Sequence, residues 1–251
     1  PEQIPAEIKN VLDLAKTIYS AFGLEYHLEL STRPEKSIGT DEQWEVSTNA
    51  LEQALIQGGF DYVLNKGDGA FYGPKIDIHI KDAIGRSWQC GTVQLDMMMP
   101  ERFDLSYITP DGHKERPVMI HRVIYGSIER FFGILVEHYA GKFPLWLSPV
   151  QVRILAISEN HHAYSETVNQ RFLDAGLRSE TDLSAESVSK KVRQAQLDQV
   201  NYILVIGDRE VEEKTVTVRV ANKVQGAKSV ETVIDDLLAE YQSRSPRNTG
   251  A

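Results

Sequence analysis

The chain has 251 residues, 41% of them hydrophobic and 25% charged, with a formal net charge of −9. This is ordinary globular composition with length for one large or two medium cores, which excludes a chain that is disordered beyond its ends. The acidity argues against a protein that grips nucleic acid by bulk electrostatics, and no apolar run approaches the roughly 18 to 20 residues of a membrane span.

In chain order, Ile8, Val11, Leu12, Ala15, Ile18 and Phe22 form a helical stripe over residues 5–22 that Gly23 stops. Leu24, Tyr26, Leu28 and Leu30 then alternate as a strand. After the loop STRPEKSIG, Thr40-Asp41-Glu42-Gln43 has capping-box form and predicts a helix to about Gln57. Tyr62 to Asp96 is strand-rich, with Gly85-Arg86 as a hairpin tip between DIHIKD and SWQCGTVQLD. Val118 to Tyr125 is β-rich, Gly126 marks a turn, and Ser127 caps an amphipathic helix carrying Phe131, Leu135 and Tyr139. These elements predict helices on one side of an antiparallel sheet.

Gly141 to Pro149, GKFPLWLSP, is the sharpest punctuation and predicts a domain boundary. Beyond it come a strand (150–157), a helix (161–175), a short strand (178–182), a helix (186–199), the apolar strand Tyr202 to Ile206, a strand (215–221) and a closing helix (230–241). That alternation predicts a small α/β domain with a largely parallel sheet. The expected organisation is therefore 1–144, 145–245 and a flexible tail, 246–251. The charge is uneven: 13 Lys and Arg face 15 Asp and Glu from residue 150 on, leaving 14 against 21 before it. A polyanion partner suits the C-terminal part better. A single cysteine, Cys90, excludes an internal disulfide and fits a reducing compartment, the cytoplasm by default.

Four constellations bear chemistry. Arg130 lies in the first turn of its helix, where the dipole disfavours a cation, so either a nucleotide base and phosphates or an ion-pair partner must offset it. His121, on a short apolar strand, is by spacing more often a hydrogen-bonded core residue than a metal ligand. Arg122 beside it reads as one half of a structural ion pair. The turn GDGAFYGPKID projects Tyr72 and Lys75 from a sheet edge, either as a cradle for a small polar substrate or as a decorated hairpin. In WQCGTVQLD, Gln89 faces away from Thr92 and Gln94 unless Gly91 makes a bulge; ligand contacts and core hydrogen bonds both account for these amides and hydroxyls. His161-His162 reads as solvated surface.

Taken in order, LSTRPEKSIGTDEQWE, GAFYGPKID, QCGTVQLD, PVMIHRVIYGSIERFFG and FPLWLSPVQV resemble threonyl-tRNA synthetase, a class II aminoacyl-tRNA synthetase, over essentially the whole chain. The resemblance implies a partial class II α+β catalytic core on an antiparallel sheet, followed by an α/β anticodon-binding domain with a mostly parallel mixed sheet. It makes GSIERFFG the third class II signature, with Arg130 packing on the adenine of ATP. It makes His121 one of three ligands of a zinc ion that holds threonine, and places Tyr72, Lys75, Gln89, Thr92, Gln94 and Ser127 around the threonyl-adenylate pocket. Within that set, Lys75 and Arg130 are the expected catalytic residues, Gln89, Thr92 and Ser127 join Arg130 at ATP, and Tyr72, Gln94 and His121 bind threonine.

In the second domain GDREVEEKTVTVR resembles the anticodon-binding domain of class II synthetases, which implies that Glu210 and Arg219 lie near the anticodon; Lys190, Lys191 and Arg193 are candidates for phosphates or for a solvated helix face. The segment SAESVSKKVR departs from the family's usual pattern there. The implied function is a threonine:tRNA ligase with ATP, Mg²⁺, L-threonine and threonine tRNA, in a homodimer and away from membranes. The alternative is a non-catalytic tRNA-binding or regulatory relative. The family's other two zinc ligands and second signature lie upstream of the segment matched here, so the expectation is a piece of a longer polypeptide.

Overall fold

The structure is a computed structural model that describes residues 2–248. The chain divides into two compact units, 1–138 and 139–251. In the first, helix α1 (Ile4–Phe22) buries Ile8, Leu12, Ala15 and Tyr19 and ends on Gly23, whose φ of 69° lets its N–H reach back to Ser20 and Tyr19 carbonyls. Strand β1 (Tyr26–Ser31) follows, then α2 (Asp41–Gly58), opened by the reciprocal Thr40–Gln43 capping box. Next come β2 (Tyr62–Asn65), β3 (Lys75–Lys81), β4 (Ser87–Asp96), α3 (Met98–Arg102), β5 (Tyr107–Ile108), β6 (Lys114–Glu115), β7 (Met119–Val123) and α4 (Ile128–His138).

Five of these strands form one sheet in the order β2-β1-β3-β4-β7, antiparallel except for β1 with β2. Strand alternation divides it cleanly. Leu28, Leu30, Ile76, Ile78, Ile80, Val93 and Leu95 are buried on one side, each contributing about 1.5 to 3 kcal/mol. The opposite side carries Ser31, Lys75, Asp77, Thr92, Gln94 and His121, which the register lines up as Ser31–Lys75, Lys75–Gln94, Asp77–Thr92 and Gln94–His121. Between β3 and β4 the register shifts: Ile78 faces Gly91 while His79 faces Gln89. A Cβ on Gly91 would lie 2.9 Å from both Ile78 Cδ1 and the Tyr19 hydroxyl, so close packing at the bulge requires glycine.

The second unit contains β8 (Val152–Ala156), α5 (His162–Asp174), β9 (Ser179–Asp182), α6 (Val188–Leu197), β10 (Tyr202–Ile206), α7 (Asp208–Glu213), β11 (Thr215–Val220), β12 (Lys223–Ser229) and α8 (Val230–Ser243). Its sheet, β12-β11-β10-β8-β9, is parallel through β9, β8 and β10 and antiparallel through β10, β11 and β12. The antiparallel edge exceeds the sequence expectation because β12, KVQGAKS, is mostly exposed and has no apolar alternation to betray it. One core joins Ile154, Leu204 and Val218 to Val168, Phe172, Val233 and Leu237; a smaller one joins Leu155 and Ile203 to Ala195.

One expectation fails locally. His161 is buried instead of solvated, its ring bonding the Ser158 N–H at 3.1 Å and the Asp208 carboxylate at 2.9 Å. Of the tail, 249–251 lie outside the described residues, and Arg247 donates to the carbonyls of Phe143, Gln199 and Val200.

Candidate functional site

The polar face of the first sheet is organised around Asp77. Only 1% of its surface is exposed. Its carboxylate accepts from Ser31 Oγ (2.9 Å), Lys75 Nζ (2.5 Å), Gln89 Nε2 (2.5 Å) and Thr92 Oγ1 (3.0 Å). The bulge beside Gly91 is what rotates Gln89 onto this face, so Gln89, Thr92 and Gln94 do converge. Lys75 also reaches Asp68 at 3.2 Å. Burial alone would lower the Lys75 ammonium, but the bonds to Asp77 and Asp68 outweigh it and hold the group above its ordinary value.

Toward β7, Tyr72 donates its hydroxyl to Gln94 Oε1 at 2.6 Å and sets its ring edge-on to His121, 5.8 Å between centroids. Burial, then the Asp96 charge, pushes the Tyr72 phenol up, so it stays a donor. His121 Nε2 lies 2.8 Å from Asp96 Oδ2 while the ring remains partly open to solvent. Asp96 is fully buried; its other oxygen accepts the N–H groups of Met98 and Met99, which fixes the carboxylate under the imidazole.

At the other end, Gly126 turns the chain with φ 71° from β7 into α4, and the Ser127 hydroxyl accepts the Arg130 N–H at 3.1 Å. The last β7 pair is Thr92–Val123, so the Gln89 carbonyl beyond it is left for Arg130, which donates to it at 3.1 Å. The Arg130 guanidinium stands 5.9 Å from the Trp88 ring centroid. Among the described residues it has no carboxylate partner, so the ion-pair alternative is not met there. Arg122 also differs from expectation: it is exposed on the sheet's edge strand, and among the described residues it forms no ion pair.

In the second unit, Glu210 spans the start of α7. Burial favours its neutral form, but the Thr217 hydroxyl at 2.7 Å and the Gly207 N–H at 2.9 Å prevail and keep its pKa below the ordinary glutamate value. Arg219 lies two residues beyond Thr217 on the same side of β11, half-buried, with its Nε lacking a partner among the described residues. Lys190 and Arg193 are exposed on α6. Lys191 is not: it is buried and donates to the Ala156 carbonyl at 2.9 Å and the Asp182 carbonyl at 3.2 Å. Its ammonium closes the end of the fold, and it is withdrawn as a phosphate contact.

Residues 1–139 match the tRNA synthetase class II core domain (G, H, P, S and T), and residues 151–241 match the anticodon-binding domain. The chain belongs to the class II tRNA synthetase core family. Threonine–tRNA ligase of Desulfatibacillum aliphaticivorans is 57% identical over 246 residues, 98% of this chain and 39% of that protein. The corresponding ligase of Protochlamydia amoebophila is 58% identical over 97% of this chain and 38% of its own length. The crystal structure described as the RNA binding domain of threonyl-tRNA synthetase from Cryptosporidium parvum superposes with a TM-score of 0.90 at 43% identity, covering 96% of this chain and 61% of that one. The chain thus spans about two fifths of the length of the ligases it matches.

In this synthetase core, two carboxylates that the sequence reading passed over, Asp77 and Asp96, hold the polar face together. Their signal was present. Asp77 shares the side of Lys75 in KIDIHIK, where three isoleucines bury the other, and a buried aspartate there requires donors.

Proposed function

We propose that this chain is the C-terminal part of a threonine:tRNA ligase. The polypeptide that contains it activates threonine with ATP and transfers the threonyl group to the 3′ end of threonine tRNA. The observation that carries the reading is the convergence of Tyr72, Lys75, Gln89, Thr92, Gln94 and His121 on one face of one sheet.

In the reaction the threonine carboxylate attacks the α-phosphorus and pyrophosphate leaves; the terminal ribose hydroxyl of the tRNA then attacks the acyl carbon of the threonyl-adenylate, the acyl–phosphate bond breaks and AMP leaves. Arg130, on α4 and bonded to the Gln89 carbonyl of β4, stacks on the adenine, while Ser127, Gln89 and Thr92 face the nucleotide. Lys75, kept charged by Asp77, opposes the phosphate charge, and Mg²⁺ accompanies ATP. Tyr72 and Gln94 orient the amino acid.

His121 fits one vertex of a zinc site. One ring nitrogen is fixed on a buried carboxylate and the ring is open, the arrangement that sets tautomer and direction in histidine ligands. Among the described residues His121 belongs to no three-ligand cluster, so the remaining ligands come from outside these residues. Zinc, when bound, supplies a Lewis acid that takes the amino and hydroxyl groups of threonine and so discriminates against isosteric valine.

The second unit reads the anticodon with Arg219, Glu210 assisting from its bond to Thr217, and Lys190 and Arg193 meet phosphates. The assembly is a cytoplasmic homodimer. Charging of threonine tRNA by the protein extended to the length of its relatives tests this: threonine is attached, and valine is not. tRNA binding without charging would support the non-catalytic relative instead.

A further inference from the structure

A second group of metal-ligating side chains lies on the same sheet and takes no part in the proposed reaction. His27 and Glu29 are two residues apart on β1 and therefore share a side; His79 on β3 is the direct cross-strand partner of His27. The two imidazoles stack with centroids 5.0 Å apart and planes inclined by 18°. Both turn Nε2 toward the one carboxylate: His27 Nε2 is 3.2 Å from Glu29 Oε1, and His79 Nε2 is 3.8 Å from Glu29 Oε2. One ligand atom from each residue lies within 4.8 Å of the others.

We propose that His27, Glu29 and His79 bind one zinc ion, with a fourth position open to water. Four tetrahedral ligands at about 2.0 to 2.2 Å stand roughly 3.4 Å apart, so the His27–Glu29 spacing already suits the ion and His79 closes by a small side-chain rotation. Two imidazoles and a carboxylate are borderline ligands that favour zinc over magnesium or calcium.

The surroundings are those of a ligand set. Asn65 Nδ2 donates to Glu29 Oε2 at 3.0 Å and fixes the carboxylate. Ser87 Oγ lies 3.4 Å from His79 Nδ1; with that nitrogen donating, Nε2 presents its lone pair to the metal. All three ligands are half-buried on paired strands, so the backbone that carries them is rigid. The ion would pin β1 to β3 on the side occupied by Asp77.

Calorimetric titration of zinc alone into the 251-residue chain tests the site. The unaltered chain and His121→Ala take up one equivalent with affinities equal within about threefold. His79→Ala and His27→Gln lower the affinity by roughly 100-fold or more, and Asn65→Ala by about tenfold. Circular dichroism identifies a variant that has lost its fold, in which case the other histidine variant decides. Absence of one-equivalent binding, binding unchanged in both histidine variants, or loss of binding in His121→Ala would each overturn the proposal.

Discussion

Lys75 and Asp77 stand two residues apart on β3 and meet at 2.5 Å on a face where only 12% of the lysine side chain and 1% of the aspartate side chain are exposed. The pair is bound by geometry as well as charge, because Ser31, Gln89 and Thr92 donate to the same carboxylate. Asp77→Ala leaves the ammonium only Asp68 and takes the shared acceptor from three other donors. We predict a loss of about 3 kcal/mol or more in urea unfolding of the chain, with Asp77→Asn losing less because it keeps the volume and part of the bonding. Equal stability of Asp77→Ala and the unaltered chain would refute the hub.

Arg130 sits 5.9 Å from the Trp88 ring centroid and gives one donor to a backbone carbonyl. In the extended protein, Arg130→Ala raises the KM for ATP by about 3- to 30-fold, the range of one cation–π contact. Arg130→Lys does not restore it, since an ammonium lacks the planar stack. Steady-state kinetics in ATP check both, and full rescue by lysine would remove the stacking argument.

Gly126 combines φ 71° with a Cβ position only 2.8 Å from the Cys90 carbonyl oxygen. Gly126→Ala therefore costs at least about 1 to 2 kcal/mol from the left-handed backbone alone, before the clash is relieved. Gly112, also at positive φ (85°) but with nothing within 4 Å of its Cβ position, loses no more than the backbone cost on the same change. Thermal unfolding of the two variants side by side measures the difference.

Acid destabilises the second unit through carboxylates with depressed pKa values. Arg153 lowers Asp198 by a hydrogen bond at 2.5 Å; at Asp182 burial opposes ionisation, but Ser184, Lys191 and Arg153 prevail. Because the folded values lie below the unfolded ones, the unfolded chain binds more protons, and this stability is present above the ordinary carboxylate range near pH 4 and lost as pH falls through the folded values. The urea midpoint falls with pH in that window, and less steeply in Asp198→Asn. A slope unchanged by that substitution would contradict the assignment.

On α6, Lys190 is exposed and its neighbour Lys191 is buried. Lys190→Ala weakens tRNA binding by the extended protein and lowers its salt slope by about 1, as expected for one phosphate contact. Lys191→Ala removes a buried ammonium from two carbonyls and acts on unfolding instead. Binding isotherms at several salt concentrations separate the two.

Much of this was legible in the residues. The helix over 5–22 and its Gly23 stop, the Thr40 capping box, the turn at Gly126 and the bulge condition at Gly91 follow from local rules, and the structure has them all, the helix starting at Ile4. What stayed hidden depends on partners far along the chain. Asp77 and Asp96 become structural centres only when strands bring donors across the sheet, and the buried ring of His161 finds its partner in Asp208, 47 residues later. The inward turn of Lys191 depends on the carbonyl of Ala156, which no helical periodicity reveals. Strand β12 has too few apolar residues to announce itself.

Threonine-dependent exchange of pyrophosphate into ATP, measured on the protein extended to the length of its relatives, tests the central claim most directly. The account predicts exchange with threonine that falls sharply in Lys75→Ala and His121→Ala, and negligible exchange with valine. Exchange driven by another amino acid, or none in a folded protein, would contradict it.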